Sequence, residues 1–432
     1  MRNETELRAH CFVNSKIEGD DFVGVKSDGT ALSVHFPLGY YFPEDDRLLR
    51  RDVVNLITVL TKFSGIKDKT VPFNRSFSRE TVDFPIQAYM NLMLRFRNAN
   101  STYYTESEVK YTVGKRGKQN WPRTIKNIKP IPQDGGSFVY LDYVVKETAS
   151  NTEKLITLVH EYLVYESYQR IGFLFPGDEP QQPRIRFDYK MFRGAVFDKL
   201  NHTNKGSDIE LFENMLAIIG YLGEDGIPQQ FYFGTHRFEY VWERLIDYTY
   251  GISDKERFFP SSAWILNAEP NKRNAALEPD TIMIVEDKVF VLDAKYYRYG
   301  ATRLPKHLPE STSINKQITY GEFIATNSGF YQEFGPGMQV YNAFLMPFGK
   351  ASDKFRHPDN YLHIGEAIGT WKTGQNPYEH VQGILIDIRY LMNNYVRHNH
   401  PEIIKLAEMI EQATEQTCPH ARGGATTEQN AV

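Results

Sequence analysis

The chain is predicted to be an α/β protein. A C-terminal domain built on a mixed sheet with flanking helices follows a β-rich or mixed N-terminal domain and a helical middle segment. Three observations carry this prediction. From about residue 231 the pattern runs helix, apolar hairpin, helix, then three strands. Between 151 and 230, apolar residues recur at helical spacing behind Ser or Thr and acids. The first 150 residues mix β-formers around turn signals with two helical stripes. A length of 432 residues is too great for one core, so two or three domains are expected. Their boundaries are placed at 1–150, 151–230 and 231–412, with a polar tail over 413–432.

The elements follow in order. "FVGVKSDGTALSVHF" reads as a hairpin around Ser27-Asp28-Gly29. "PEDDRLLRRDVVNLITVLTKF" opens on Pro and acids and continues with Leu49, Val53, Leu56 and Leu60, a helix. "PIQAYMNLMLRFRN" predicts a second helix and "SFVYLDYVVKE" a strand. "TEKLITLVHEYLVYESYQRI" and "SDIELFENMLAIIGYL" are the helices of the middle segment, separated by Pro176, Pro180 and Pro183. Within the first of them "HEYLV" lacks the second His of a zinc-protease helix, and His160 is expected on the helix surface. The helix "THRFEYVWERLIDYTY" precedes the hairpin "LEPDTIMIVEDKVFVLDAKYY". "SINKQITYGEFIA" is the helix after it, and "MQVYNAFLMPF", "YLHIGEAIGTW" and "HVQGILIDIRYLM" are strands. The Gly/Thr-rich end "EQTCPHARGGATTEQNAV" reads as disordered.

Composition narrows the function. With 24% charged and 41% hydrophobic residues and a net charge of -4, the chain is no polycation, so a nucleic-acid surface has to be a local basic patch. Only Cys11 and Cys418 are present, against a disulfide scaffold or a Cys-based zinc site. Neither a signal peptide nor an apolar run long enough to span a bilayer is found, and a cytoplasmic protein with no membrane role is expected. One run, "GKRGKQNWPRTIKNIK", holds Lys115, Arg116, Lys118, Arg123, Lys126 and Lys129 with no acid among them. It could contact phosphates or an acidic protein partner, or be a solvated loop.

The hairpin carries the chemistry. With Glu286-Asp287 as a two-residue turn, 285 pairs with 288, 283 with 290 and 280 with 293. Asp280 and Asp293 then face each other with Cβ atoms about 5 Å apart. Strand alternation puts Lys295 on the face of Asp293, roughly 6–7 Å further on. Two facing carboxylates repel, and burial makes one of them hold a proton. A divalent cation resolves the conflict, and an oxygen-only donor set suits Mg²⁺, or Mn²⁺ as a substitute, better than Zn²⁺. The alternative is that Asp293 and Lys295 are charges at an exposed sheet end.

Pro279-Asp280, twelve residues, then Asp293-Ala294-Lys295 resembles the PD-(D/E)XK nuclease motif. On the preceding helix, "RFEYVWERL" offers Glu239 and Glu243 at i,i+4, where this superfamily often supplies a further acid; Glu239 is preferred and Glu243 read as a surface residue. On the following helix, Gln317 and Tyr320 resemble the Gln/Tyr motif of a nuclease subgroup, at a spacing shorter than QxxxY. The wider chain is similar to the LlaJI-type restriction endonucleases and, more distantly, to McrC, the nuclease subunit of the McrBC system. The pieces are "FVGVKSDG", "FPLGY", "GKQNWPRTI" and "FEYVWE" before the hairpin, spread over most of the first 320 residues.

The resemblance implies a mixed-sheet PD-(D/E)XK C-terminal domain, an Mg²⁺-dependent endodeoxyribonuclease acting on double-stranded DNA in a restriction system. Asp280, Asp293, the Ala294 carbonyl and Glu239 would hold or surround the metal. Lys295 would orient water or neutralise developing charge, with Gln317 and Tyr320 beside it. Arg298, Arg303, Lys306 and Lys316 are expected to contact DNA phosphates. The N-terminal domain would bind a McrB-like AAA+ GTPase through Lys115, Arg116, Lys118, Trp121 and Arg123, and a homodimer through the nuclease domain fits the same resemblance. No GxxxxGK[ST] is present, so GTP hydrolysis would belong to that partner. A non-catalytic adaptor and a structure-selective repair nuclease are the competing readings.

Overall fold

The computed structural model describes residues 6–27, 32–63, 85–175, 177–224, 231–267 and 271–418. Asp28 and Gly29, the expected hairpin tip, lie outside the described residues, as does the tail from residue 419. The fold is mixed α/β, with sheets of both orientations and helices around them. Among the described residues, no helix is long and apolar enough to cross a membrane.

Two compact units emerge, and their boundaries differ from those expected from the sequence. The described residues up to 63 join those from 232 to 418 in one unit, and residues 85–231 form the other. The boundary expected at 150 therefore falls inside the second unit. The pairings responsible are non-local. Strands Cys11–Val13, Leu32–Phe36 and Val23–Ser27 share a four-stranded sheet with Phe231–Thr235, two hundred residues on. Glycine permits the last pairing: a Cβ at Gly24 would lie 2.2 Å from the Phe233 carbonyl, and one at Gly234 2.2 Å from that of Val23.

The main sheet of this unit runs in the order Thr281–Val285, Lys288–Ala294, Gln339–Phe348, His380–Asp387, Tyr361–Ile368. Its outer pairs are antiparallel and its two central pairs parallel. The central strands read as unbroken apolar runs because helices cover the sheet. The helix Ser311–Thr326 packs Tyr320 and Ile324 against Val289 and Val291. The helix Phe238–Tyr250 buries Trp242, whose indole N–H donates to the Leu345 carbonyl at 3.2 Å. The helix His400–Thr417 continues five residues into the segment expected to be disordered, because Ala413 and Thr414 are buried.

The second unit holds four long helices, Ile86–Asn98, Leu155–Ile171, Tyr189–His202 and Gly206–Leu222. His160, expected on a helix surface, is 1% exposed there. Its Nδ1 accepts the Tyr104 amide at 2.8 Å, and burial pushes its pKa down to about 3. Helices Ile86–Asn98 and Tyr189–His202 pack on both sides of its helix, which leaves that face no solvent. Beside the helices stands a three-stranded antiparallel sheet of Glu106–Gly114, Tyr143–Asn151 and Lys118–Gln119.

The basic run is structured rather than a loop. Residues 118–119 are strand and Trp121–Asn127 a helix. Asn120 caps that helix by accepting the Arg123 amide at 3.1 Å, and Pro122 sits in its first turn.

Candidate active site

The hairpin forms with the expected register. Val285 pairs with Lys288, Met283 with Phe290 and Thr281 with Leu292, which continues to Asp280 opposite Asp293. Glu286 takes φ +55° to close the two-residue turn. Asp280 Oδ2 accepts the Ala294 amide at 3.0 Å, so this carboxylate caps the end of the neighbouring strand. The two aspartates also hydrogen-bond to each other through their side chains. Asp293 is 6% exposed. Lys295 reaches back to Asp293 with Nζ 2.9 Å from Oδ2, while its amide donates to the Leu345 carbonyl at 2.9 Å.

Electrostatics make this pair unusual among the carboxylates of the chain. Burial raises the Asp280 pKa, and the hydrogen bond and charge of Asp293 raise it further. Glu243 adds to the rise and Lys295 opposes it; the result is about 8 against an ordinary 3.8. Lys295 is held above its ordinary range although burial pulls it down, because the charge and hydrogen bond of Asp293 and the charge of Asp280 outweigh that penalty. Lys316, on the following helix, is raised by its hydrogen bond to Tyr320, against its own burial, and feels both aspartates.

A pH dependence follows. A folded-state pKa above the unfolded value means that the folded chain keeps its proton longer. Asp280 thus contributes stability that is complete below about pH 4 and lost as pH rises to about 8. In metal-free buffer at pH 8, Asp280→Asn should melt roughly 5 °C above wild type, as expected for about 2 kcal/mol at 2–4 °C each. The gap should close toward pH 4. Equal melting temperatures across this range would remove the strained pair.

The other expected residues divide. Tyr320 is 1% exposed in the core under the hairpin, and its hydroxyl donates to the Glu278 carbonyl at 3.2 Å. Gln317 is fully buried; its Nε2 donates to the Val291 carbonyl at 2.7 Å, two residues before Asp293. It therefore props the strand instead of facing the carboxylates. Glu239 sits in another group, with its carboxylate 3.1 Å from Arg237 and its charge acting on Lys16 and Tyr296. The helix acid whose charge bears on Asp280 is Glu243, one turn further on. The sequence contained that signal, since the two share a helix face.

Arg298 opens the short helix Tyr299–Thr302, with its Nε buried and without a hydrogen-bond partner. Arg303 and Lys306 follow it, exposed. Among the described residues, no three His, Cys, Asp or Glu side chains gather as a metal-binding group. Any ion at the pair would depend on two carboxylates, backbone oxygen and water.

In the second unit, Lys115, Arg116 and Lys118 are exposed. Trp121 is 47% exposed and packs edge-on against Tyr140 and Tyr143. The Arg123 guanidinium lies 3.7 Å from the centre of the Tyr111 ring.

A family model described as LlaJI restriction endonuclease matches residues 22–362. Over 363 residues the chain is 25% identical to the type II restriction enzyme BsuMI component YdjA of Bacillus subtilis strain 168, covering 78% of this chain and 74% of that protein. Among solved structures, a chain in an assembly of Thermococcus gammatolerans McrB AAA+ hexamers with bound McrC aligns over 90% of this chain and 83% of its own length. Identity there is 13% and the TM-score 0.37, a likeness on which nothing further is built.

Proposed function

The chain belongs to the LlaJI restriction endonuclease family, and from that premise we propose that it is the cutting subunit of its restriction system, an Mg²⁺-dependent endodeoxyribonuclease of PD-(D/E)XK type. The observation that carries this reading is the contact between two buried carboxylates, Asp280 and Asp293, with Lys295 2.9 Å from one of them. A purely structural strand end gains nothing from pressing two acids together, since one must then take up a proton.

The donor set fits a hard divalent cation. Asp280, Asp293 and the Ala294 carbonyl offer oxygen only, and a cation removes the repulsion that raises Asp280. When bound, Mg²⁺ would supply Lewis-acid polarisation of the scissile phosphate. The remaining work belongs to the chain. Lys295, kept protonated by Asp293, places a positive charge where negative charge develops on the phosphate oxygens. Glu243 and Asp280 form the acidic side of the site, able to order water by hydrogen bonding. Gln317 and the Leu345 carbonyl hold the strand that bears these groups in place, as a preorganised site requires.

The second half of the proposal is a McrB-like AAA+ GTPase as partner. Its support lies in the second unit, where Trp121, Ile125, Phe138 and Leu141 are exposed among cations. Exposed apolar residues rimmed by charge mark protein contacts, and Trp with Arg is the usual anchor pair. The test is cleavage of duplex DNA by the chain with the GTPase encoded beside it. Chelating divalent cations should stop cutting. Trp121→Ala with Arg123→Ala should lower partner-stimulated cleavage about tenfold or more, the effect of losing a hot-spot contact of about 1.4 kcal/mol or above. Metal binding by the variant should persist. Full stimulation with loss of DNA binding would make this surface a DNA clamp instead.

A further inference from the structure

The three parallel strands Lys288–Ala294, Gln339–Phe348 and His380–Asp387 end on one edge of the main sheet. Asp293 lies at the end of the first strand. The short helix Tyr299–Thr302 follows it and is drawn onto the second strand, where a Cβ at Gly300 would lie 2.0 Å from the Pro347 carbonyl. The turn after the second strand brings residues 353–356 to the same edge. Between helix and turn is an open cleft of about 470 Å³, lined by Tyr299, Arg303, Lys354, Phe355, Arg356 and His363, with Asp353 as its one acid.

Two features indicate a prepared site. Arg303 occupies the left-handed region, φ +58° and ψ +21°, at the end of the short helix, where glycine or asparagine is the usual choice. Such backbone persists when the surroundings impose it, and it collects at ligand sites. Here it lays the guanidinium 5.4 Å from the centre of the Phe355 ring and its Nη1 3.4 Å from the Lys354 carbonyl. The second feature is charge. Among the described residues neither Arg303 nor Lys354 has an acid within ion-pair distance, and Arg356 has only exposed Asp353 at 4.0 Å. Three poorly compensated cations around one cleft, in a chain of net charge -4, form a local anion site. Arginine forks match phosphate oxygens, and a lysine adds a point charge.

We propose that this cleft, bounded by Arg303, Lys354 and Arg356, holds a backbone phosphate of the DNA strand next to the one that is cut. The assignment rests on the nuclease reading above. A strand whose scissile phosphate lies at Asp280 and Asp293 continues along the same sheet edge into the cleft, and the buried Phe355 ring gives the sugar an apolar floor. Free nucleotide offers the same phosphate chemistry but has no reason to sit in line with the carboxylate pair.

The experiment measures binding of a short fluorescent duplex in Ca²⁺ buffer between about 50 and 200 mM salt. Wild type is compared with Arg303→Gln, Lys354→Gln, Arg356→Gln in one chain. The slope of log affinity against log salt should flatten by about 1 per lost phosphate contact, so by up to about 3, with Mn²⁺ binding unchanged. If the triple variant fails to fold, Lys354→Gln alone, on an exposed turn, should flatten the slope by about 1. A wild type that cuts DNA while the variants keep its salt slope overturns the cleft and leaves the nuclease reading standing. A wild type that neither binds nor cuts DNA with its partner and Mg²⁺ overturns both. Loss of binding to a fluorescent GTP analogue with an unchanged DNA slope reassigns the cleft to nucleotide and overturns the proposal.

Discussion

Asp293→Ala is expected to abolish DNA cleavage, a fall of about a thousandfold or more, while the protein stays folded. A cation at a phosphoryl-transfer site contributes several kcal/mol, and each 1.36 kcal/mol is tenfold in rate. Asp293 has two claims on that energy, since it faces Asp280 and holds Lys295 at 2.9 Å. Its removal leaves Asp280 without the partner whose hydrogen bond and charge raise its pKa, so stability in the absence of metal should not fall and can rise. The backbone ladder to Phe344 does not use the lost side chain. Isothermal titration with Mn²⁺ should show binding to wild type and little to the variant, with melting temperatures alike. Equal metal affinity and equal cleavage in both proteins would refute the assignment of the pair. A variant that loses activity only because it melts would show itself in the melting curve.

The part of this site legible in the sequence is the part governed by local rules. A two-residue turn and strict alternation suffice to place Asp280 opposite Asp293 and Lys295 nearby, because a hairpin's register is set by its own turn. The choice between Glu239 and Glu243 was not legible. Both lie on one face of one helix, and only the crossing of that helix over the strand end decides which turn meets Asp280. Gln317 illustrates a second limit: its position on the helix was clear, whereas its role depends on the Val291 carbonyl beneath it. The helices Asp46–Phe63, Ile86–Asn98 and Phe238–Tyr250 announce themselves by apolar spacing. The pairing of Val23–Ser27 with Phe231–Thr235 has no such signal, because nothing local in either segment names a partner two hundred residues away. Hence residues 11–63, expected in a separate N-terminal domain, instead complete the unit that carries the carboxylate pair.

That unexpected join supplies the other large effect. Asp52, on the helix Asp46–Phe63, is 1% exposed, and Arg389, from the end of the chain, places Nε 2.5 Å from its Oδ2. Tyr40 donates to the same carboxylate at 2.7 Å and Asn393 at 3.0 Å. Removing one member of a buried ion pair leaves the other charge uncompensated, which costs about 3–5 kcal/mol. Arg389→Met should therefore destabilise the chain by that amount, measured by urea unfolding, although Arg389 touches neither the carboxylate pair nor the cleft. Asp52→Leu alone should cost about as much. The double variant is the informative one. With both charges gone, no buried ion lacks its partner, and the loss should shrink to about 1–2 kcal/mol, the hydrogen bonds of Tyr40 and Asn393 included. Additive losses in the double variant would mean that the two side chains act independently. The same logic extends to a fragment beginning at residue 231, the boundary expected from the sequence. It would keep Arg389 without Asp52, and Tyr296 without the Leu38 amide that donates to its hydroxyl at 2.6 Å. With three of four strands also missing from the smaller sheet, such a fragment should fail to fold. The N-terminal segment is thus a structural part of the unit that presents Asp280, Asp293 and Lys295, and cutting it away removes the site along with the fold.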